Sequence, residues 1–173
     1  IYGMNMGNAS STATTVDYNN ATRNSTNPDM GAYEFTSTVN LNGNVGAITL
    51  PGGTYSGFSC GDASNVITFS NDVTVDGTLT LSNGRINMGA NTMTIGTGTG
   101  NPGGLTYTSG SITGTLKRWF ATGAINDVIF PIDNGTASHD YVGVNISFTA
   151  LSTGGTLTTS YTNTGSGSYP GGF

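Results

Sequence analysis

Apolar and polar residues alternate with period two along most of this chain, and Gly, Asn or Pro interrupts the alternation before any segment grows long. That rhythm puts successive side chains on opposite sides of a strand, and no window carries the 3.6-residue recurrence of a helix. The clearest case runs from Val73 to Leu81, where Val73, Val75, Leu79 and Leu81 share one side and Asp76-Gly77 marks a turn or bulge. Val66 to Phe69, Arg85 to Met88, Thr92 to Ile95, Leu105 to Tyr107 and Ser111 to Leu116 repeat the pattern as short segments between Gly/Asn/Ser turns. Segments of this length read as the rungs of a β-solenoid or meander, in which each unit buries its face against its neighbours. Thr36 to Leu41 and Val45 to Leu50 read as a strand pair around Asn42-Gly43-Asn44, with Pro51-Gly52-Gly53 breaking the chain after it.

From Trp119 the texture changes and the segments lengthen: Asp127 to Ile132, Tyr141 to Ala150 and Gly155 to Thr162, with Asp133-Asn134-Gly135 as a turn. Between Tyr141 and Ala150 the alternation is strict, as on a two-faced antiparallel strand. The expected fold is therefore all-β, with solenoid-like short rungs leading into an antiparallel β-sandwich. Three regions are expected: a terminal segment over 1–35, a β-rich module over 36–164, and a Gly/Ser-rich tail over 165–173 that reads as an arm or linker. The chain opens on Ile1 without a basic or apolar leader, so it reads as a processed product or a piece of something longer.

Composition narrows the function. Charged residues are 8% of the chain, against about 25% in a typical soluble protein, while β-branched residues are abundant enough to predict order. Four basic residues and a net charge of −5 leave no stripe to neutralise phosphates, which excludes nucleic acid as a partner. Apolar runs are too short for a membrane-spanning helix. One His and one Cys offer little for catalysis or for a zinc site. The chain is expected to be no enzyme, and Thr, Asn and Gly in excess over Lys suggest an extracellular or cell-surface setting.

Each reactive candidate has a plainer reading. Cys60, in Phe58-Ser59-Cys60-Gly61, has no adjacent base and reads as a buried filler. Asp29 and Glu34 read as backbone caps or partners of Arg23 rather than as a glycosidase pair. His139-Asp140 lies in a loop without a nucleophile elbow. No cofactor is expected. Calcium is the least implausible metal, through Asp72 with Asp76 or through Asp133, Asn134 and Asp140, although no segment has the EF-hand spacing. Trp119 and Phe120 beside Lys117-Arg118 suggest either a sugar-stacking platform or, as the preferred reading, an aromatic plug between the two halves. Ile1, Tyr2, Tyr169 and Phe173 put apolar side chains at the two ends and are the candidate self-association residues, since terminal strands can add to a neighbour's open edge.

Two stretches resemble known proteins. Asp17 to Arg23 followed by Pro28-Asp29-Met30-Gly31-Ala32-Tyr33-Glu34-Phe35 resembles the closing segment of right-handed parallel β-helix domains in large secreted bacterial proteins. Those domains often end in D-[IM]-G-A-Y-E-[FY], and Ala21 stands where they usually have Gly. Residues 65–162 are similar to repeat modules of adhesin-like surface proteins, through Val73 to Gly84, Gly114 to Phe120, Phe130-Pro131-Ile132 and Gly155 to Thr158. The resemblance implies export and a non-enzymatic surface role. The expected function is a structural subunit or repeat of an extracellular bacterial filament or surface adhesin, associating with itself head to tail through β edges or terminal strands. The alternative is a carbohydrate-binding or accessory module of a secreted polysaccharide-acting protein, with surface glycans as partners.

Overall fold

Alternating segments become strands here, and successive turns of the chain stack them in parallel. The structure, a computed structural model, describes residues 38–135 and 141–161. The chain divides into units Ile1–Thr36 and Ser37–Phe173, and every described residue belongs to the second. That unit is all-β, with eleven strands among the described residues. The strands are β1 (Thr38–Leu41), β2 (Ala47–Leu50), β3 (Gly53–Cys60), β4 (Val66–Phe69), β5 (Val73–Leu81), β6 (Arg85–Ile95), β7 (Gly104–Tyr107), β8 (Ser111–Phe120), β9 (Gly123–Phe130), β10 (Val144–Leu151) and β11 (Gly155–Ser160).

Three parallel ladders organise them. The first stacks β1, the second half of β3, the second half of β5, and β7. The second stacks β2, β4 and the first halves of β6 and β8. The third stacks the first halves of β3 and β5 on the second halves of β6 and β8. Each circuit of the chain visits all three ladders, which is a β-solenoid. Stacked rungs place like residues over like. Ile48, Ile67, Ile86, Ile112 and Ile132 form one inward column through the second ladder. Val39, Phe58, Leu79 and Leu105 form another in the first, beside Leu41, Cys60, Leu81 and Tyr107. Val73, Val75, Leu79 and Leu81 are all buried, as the alternation predicts.

The corners carry the buried polar groups. Asn65 is fully buried at the corner before β4, and its side chain satisfies the corner of the coil below. Its Nδ2 donates to the Leu41 and Gly43 carbonyls at 2.9 Å each, and its Oδ1 accepts from the Val45 amide at 2.8 Å. At the next corner Gly84 has φ +78°, and a β-carbon there would lie 2.5 Å from the Asp62 carbonyl oxygen and 2.8 Å from Cys60 Sγ. Both the left-handed backbone and the close packing call for glycine.

Beyond β8 the parallel stacking ends. β9 and β10 form a two-stranded antiparallel sheet, and β11 turns back to lie antiparallel on β8, closing the third ladder. Phe120, Phe130 and Ile132 are buried at this end, with Ile125, Val128, Ile146 and Leu151 packed against the same core.

Several expectations change. β1 and β2 do not form a hairpin: each pairs in parallel with the next coil, so the turn between them is a solenoid corner. β3 was not expected as a strand, and it supplies Phe58 and Cys60 to the core. β6 runs unbroken through Gly89-Ala90-Asn91, where two segments were expected. The antiparallel part is a two-stranded sheet plus β11, and β9 begins earlier than expected, at Gly123.

Candidate functional site

The outward residues of the ladders form the accessible chemistry of this unit. On the third ladder Thr54, Thr74 and Thr94 stand in one column, continued by Lys117 on β8 and Thr158 on β11. On the second, Thr49, Thr68, Asn87 and Thr113 share a column. On the first, Thr38, Gly57, Thr78 and Gly104 alternate hydroxyl with bare backbone, beside Asn40, Ser59, Thr80 and Thr106. Strand spacing in a sheet is about 4.8 Å, so these columns are regular rows of hydroxyls. A shallow open groove of about 310 Å³ lies on the first ladder where Gly57 leaves a gap between Thr38 and Thr78. Its lining includes Ser56, Ser59 and Thr80 but no titratable side chain.

Among the described residues, oppositely charged side chains pair at Asp133 and Arg85. Asp133 is fully buried, and its Oδ2 accepts from Ser111 Oγ at 2.7 Å while its Oδ1 accepts from Thr113 Oγ1 and the Gly135 amide at 2.7 Å each. Arg85 Nε lies 3.4 Å from Asp133 Oδ2 and donates to Thr113 Oγ1 at 3.0 Å. Burial pushes the Asp133 carboxyl upward, but those hydrogen bonds and the Arg85 charge outweigh it and hold the carboxyl below the usual carboxylate range. The cluster ties the turn after β9 to β6 and β8. Its oxygens are engaged by internal partners, and Asp140, its expected companion in a calcium site, lies outside the described residues. Asp72 Oδ1 likewise accepts from the Thr92 amide at 2.8 Å, pinning a corner. Among the described residues no three His, Cys, Asp or Glu side chains cluster as a metal site would require.

β8 separates its two basic residues. Arg118 takes the inward position in register with Ile95 and Leu157. Its guanidinium carbon sits 5.8 Å from the Phe120 ring and 5.6 Å from the Phe130 ring, and NH1 donates to the Ile129 carbonyl at 2.8 Å. Burial lowers its pKa to about 10, which still leaves it charged at neutral pH. Lys117 and Trp119 take the outward positions, with Lys117 Nζ 5.8 Å from the indole centroid. Trp119 is no part of the buried core cluster, which corrects its reading as a plug between the two halves. That role falls to the buried Phe120 and Phe130, whose ring centroids lie 6.4 Å apart, with the half-buried Phe148 edge-on to Phe120 at 6.4 Å. The outward Trp119 was legible in the alternation Leu116, Arg118, Phe120 against Lys117, Trp119. At the far end of the first ladder Tyr107 and Tyr141 stack at 6.4 Å, with Tyr141 exposed.

Cys60 is completely buried, and desolvation pushes its thiol pKa up, so it fills a core position between Leu41 and Leu81. Ile1, Tyr2, Tyr169 and Phe173, with Arg23, Asp29, Glu34, His139 and Asp140, lie outside the described residues. No helix among the described residues is long and apolar enough to cross a membrane. No family model, curated protein or solved structure matches this chain.

Proposed function

We propose that this chain is a non-catalytic structural subunit or repeat of an extracellular filament or surface adhesin of the bacterial kind, associating with itself through β edges or terminal strands. The observation that carries the reading is the division of labour in the described unit. Its outward faces are columns made mostly of Thr, Ser, Asn and Gly on stacked backbone ladders, and its buried carboxylate cluster is consumed in holding the stack together. Such a surface resists change in pH, and a ladder of backbone hydrogen bonds along the stacking axis suits a load-bearing spacer. Contacts that repeat without closing a ring give an open filament.

Negative-stain electron microscopy of the purified chain, whole and lacking 1–7 and 165–173, tests this reading. Filaments that vanish on trimming are the expected result and would place the joint at Ile1, Tyr2, Tyr169 and Phe173. Single particles in both samples would contradict self-assembly and favour the second reading, a glycan-binding module. That second reading draws support from Trp119, whose outward position beside Lys117 leaves an aromatic side chain at the surface of the third ladder.

A further inference from the structure

We propose that β11 is a self-complementary joint, pairing antiparallel with the β11 of a second copy to make a two-fold dimer. This deepens the self-association reading and rests on it: a two-fold joint closes on itself, so the terminal strands supply the second joint that a filament needs. Among the described residues β11 has β8 as its one strand neighbour. An antiparallel strand directs the N–H and C=O of every second residue to each side, and no described strand pairs with the row on the outer side of β11. Natural edge strands are commonly protected by Lys, Pro, a bulge or a covering segment. Gly155-Thr-Leu-Thr-Thr-Ser160 contains neither charge nor proline, and its register with β8 is free of bulges.

The sequence also fits its own reverse. With Thr158 on the two-fold axis, Thr158 faces Thr158 of the second copy, Thr156 faces Ser160, and Leu157 faces Thr159. Thr156, Thr158 and Ser160 are exposed on the outer side, while Leu157 and Thr159 are half-buried on the inner side. Every opposed pair therefore keeps hydroxyl against hydroxyl outside and the less polar side within, an arrangement that favours cross-strand pairing. A chain of net charge −5 meets its copy here on a strand that carries no charge.

Thr158→Glu separates association from folding. Within the chain the new carboxylate faces Lys117, its partner on β8, while across the two-fold axis it faces its own copy. At concentrations too dilute for filaments, sedimentation velocity of the full chain is expected to show a monomer–dimer equilibrium that Thr158→Glu weakens by about tenfold or more. Its thermal midpoint should stay near that of the wild type. Under mild oxidation Thr158→Cys should give a covalent dimer, because directly opposed residues of an antiparallel pair have Cα atoms about 4.5–5.5 Å apart. Thr156→Cys, opposed by Ser160, should not. Dimers that persist unchanged in Thr158→Glu, or equal cross-linking of both cysteine variants, would overturn the β11 joint while leaving self-assembly in place. A wild type that stays monomeric throughout would overturn both.

Discussion

Asp133→Ala is expected to cost the fold about 3–5 kcal/mol, the usual loss when one partner of a buried charged pair is removed. The substitution removes the carboxylate 3.4 Å from Arg85 Nε, and it strips acceptors from Ser111, Thr113 and the Gly135 amide at once. Urea unfolding followed by circular dichroism measures the loss. The pH dependence has a definite sign. The folded-state pKa of Asp133 lies below its unfolded value of about 3.9, so the unfolded chain binds the proton more readily. The stability contributed by this carboxylate is fully present above about pH 4 to 5 and fades as the pH falls through the folded pKa. The alanine variant should lose that part of the acid slope. A variant as stable as the wild type, with the same acid profile, would show that the network carries no weight.

Phe58→Ala should be comparably damaging, by about 3–5 kcal/mol, because it empties a large site in a tightly packed column. Phe58 is 1% exposed, packs edge-on against Phe69 at 5.4 Å and Tyr55 at 5.9 Å, and stands in register between Val39 and Leu79. In a solenoid each coil depends chiefly on its immediate neighbours. The loss should therefore concentrate in the first coils, with amide exchange rising most in β1, β2 and β3 and least in β8 and β11. Uniform loss of protection across all strands would mean that the ladders behave as one cooperative block.

The strands themselves were largely legible in the sequence, because alternation is a local signal. The inward set Val73, Val75, Leu79 and Leu81 follows from it directly, and so does the outward position of Trp119 once β8 is taken as one continuous strand. Pairing was less legible. Asn42-Gly43-Asn44 between two short strands has the composition of a hairpin turn. What makes it a corner instead is Asn65, more than twenty residues along the chain, whose side chain fastens that loop from the coil above. Such a bond leaves no local mark. β3 was hidden because Gly53-Thr-Tyr-Ser-Gly-Phe-Ser-Cys60 is rich in turn-forming residues. Its small side chains suit the stack for a different reason: Gly57 lies within 3.2 Å of Thr38 Oγ1 when a β-carbon is added. The Asp133 cluster was half visible. The Asp-Asn-Gly turn was evident, but its partners Ser111, Thr113 and Arg85 come from two other strands that only the stacking brings together.

Parallel, in-register stacking of the coils underlies the whole fold, and paired cysteines on the third ladder test it most directly. Thr74 and Thr94 are register partners on β5 and β6, so neighbouring-strand spacing of about 4.8 Å puts their Cα atoms within disulfide range. Thr74→Cys with Thr94→Cys should oxidise to an intramolecular disulfide in the folded chain. Thr74→Cys with Thr92→Cys, two residues out of register, should stay reduced. The native thiol of Cys60 is completely buried and does not compete. Failure of the first pair to bridge in a folded protein, or ready bridging of the second, would contradict the register on which the whole stack is built.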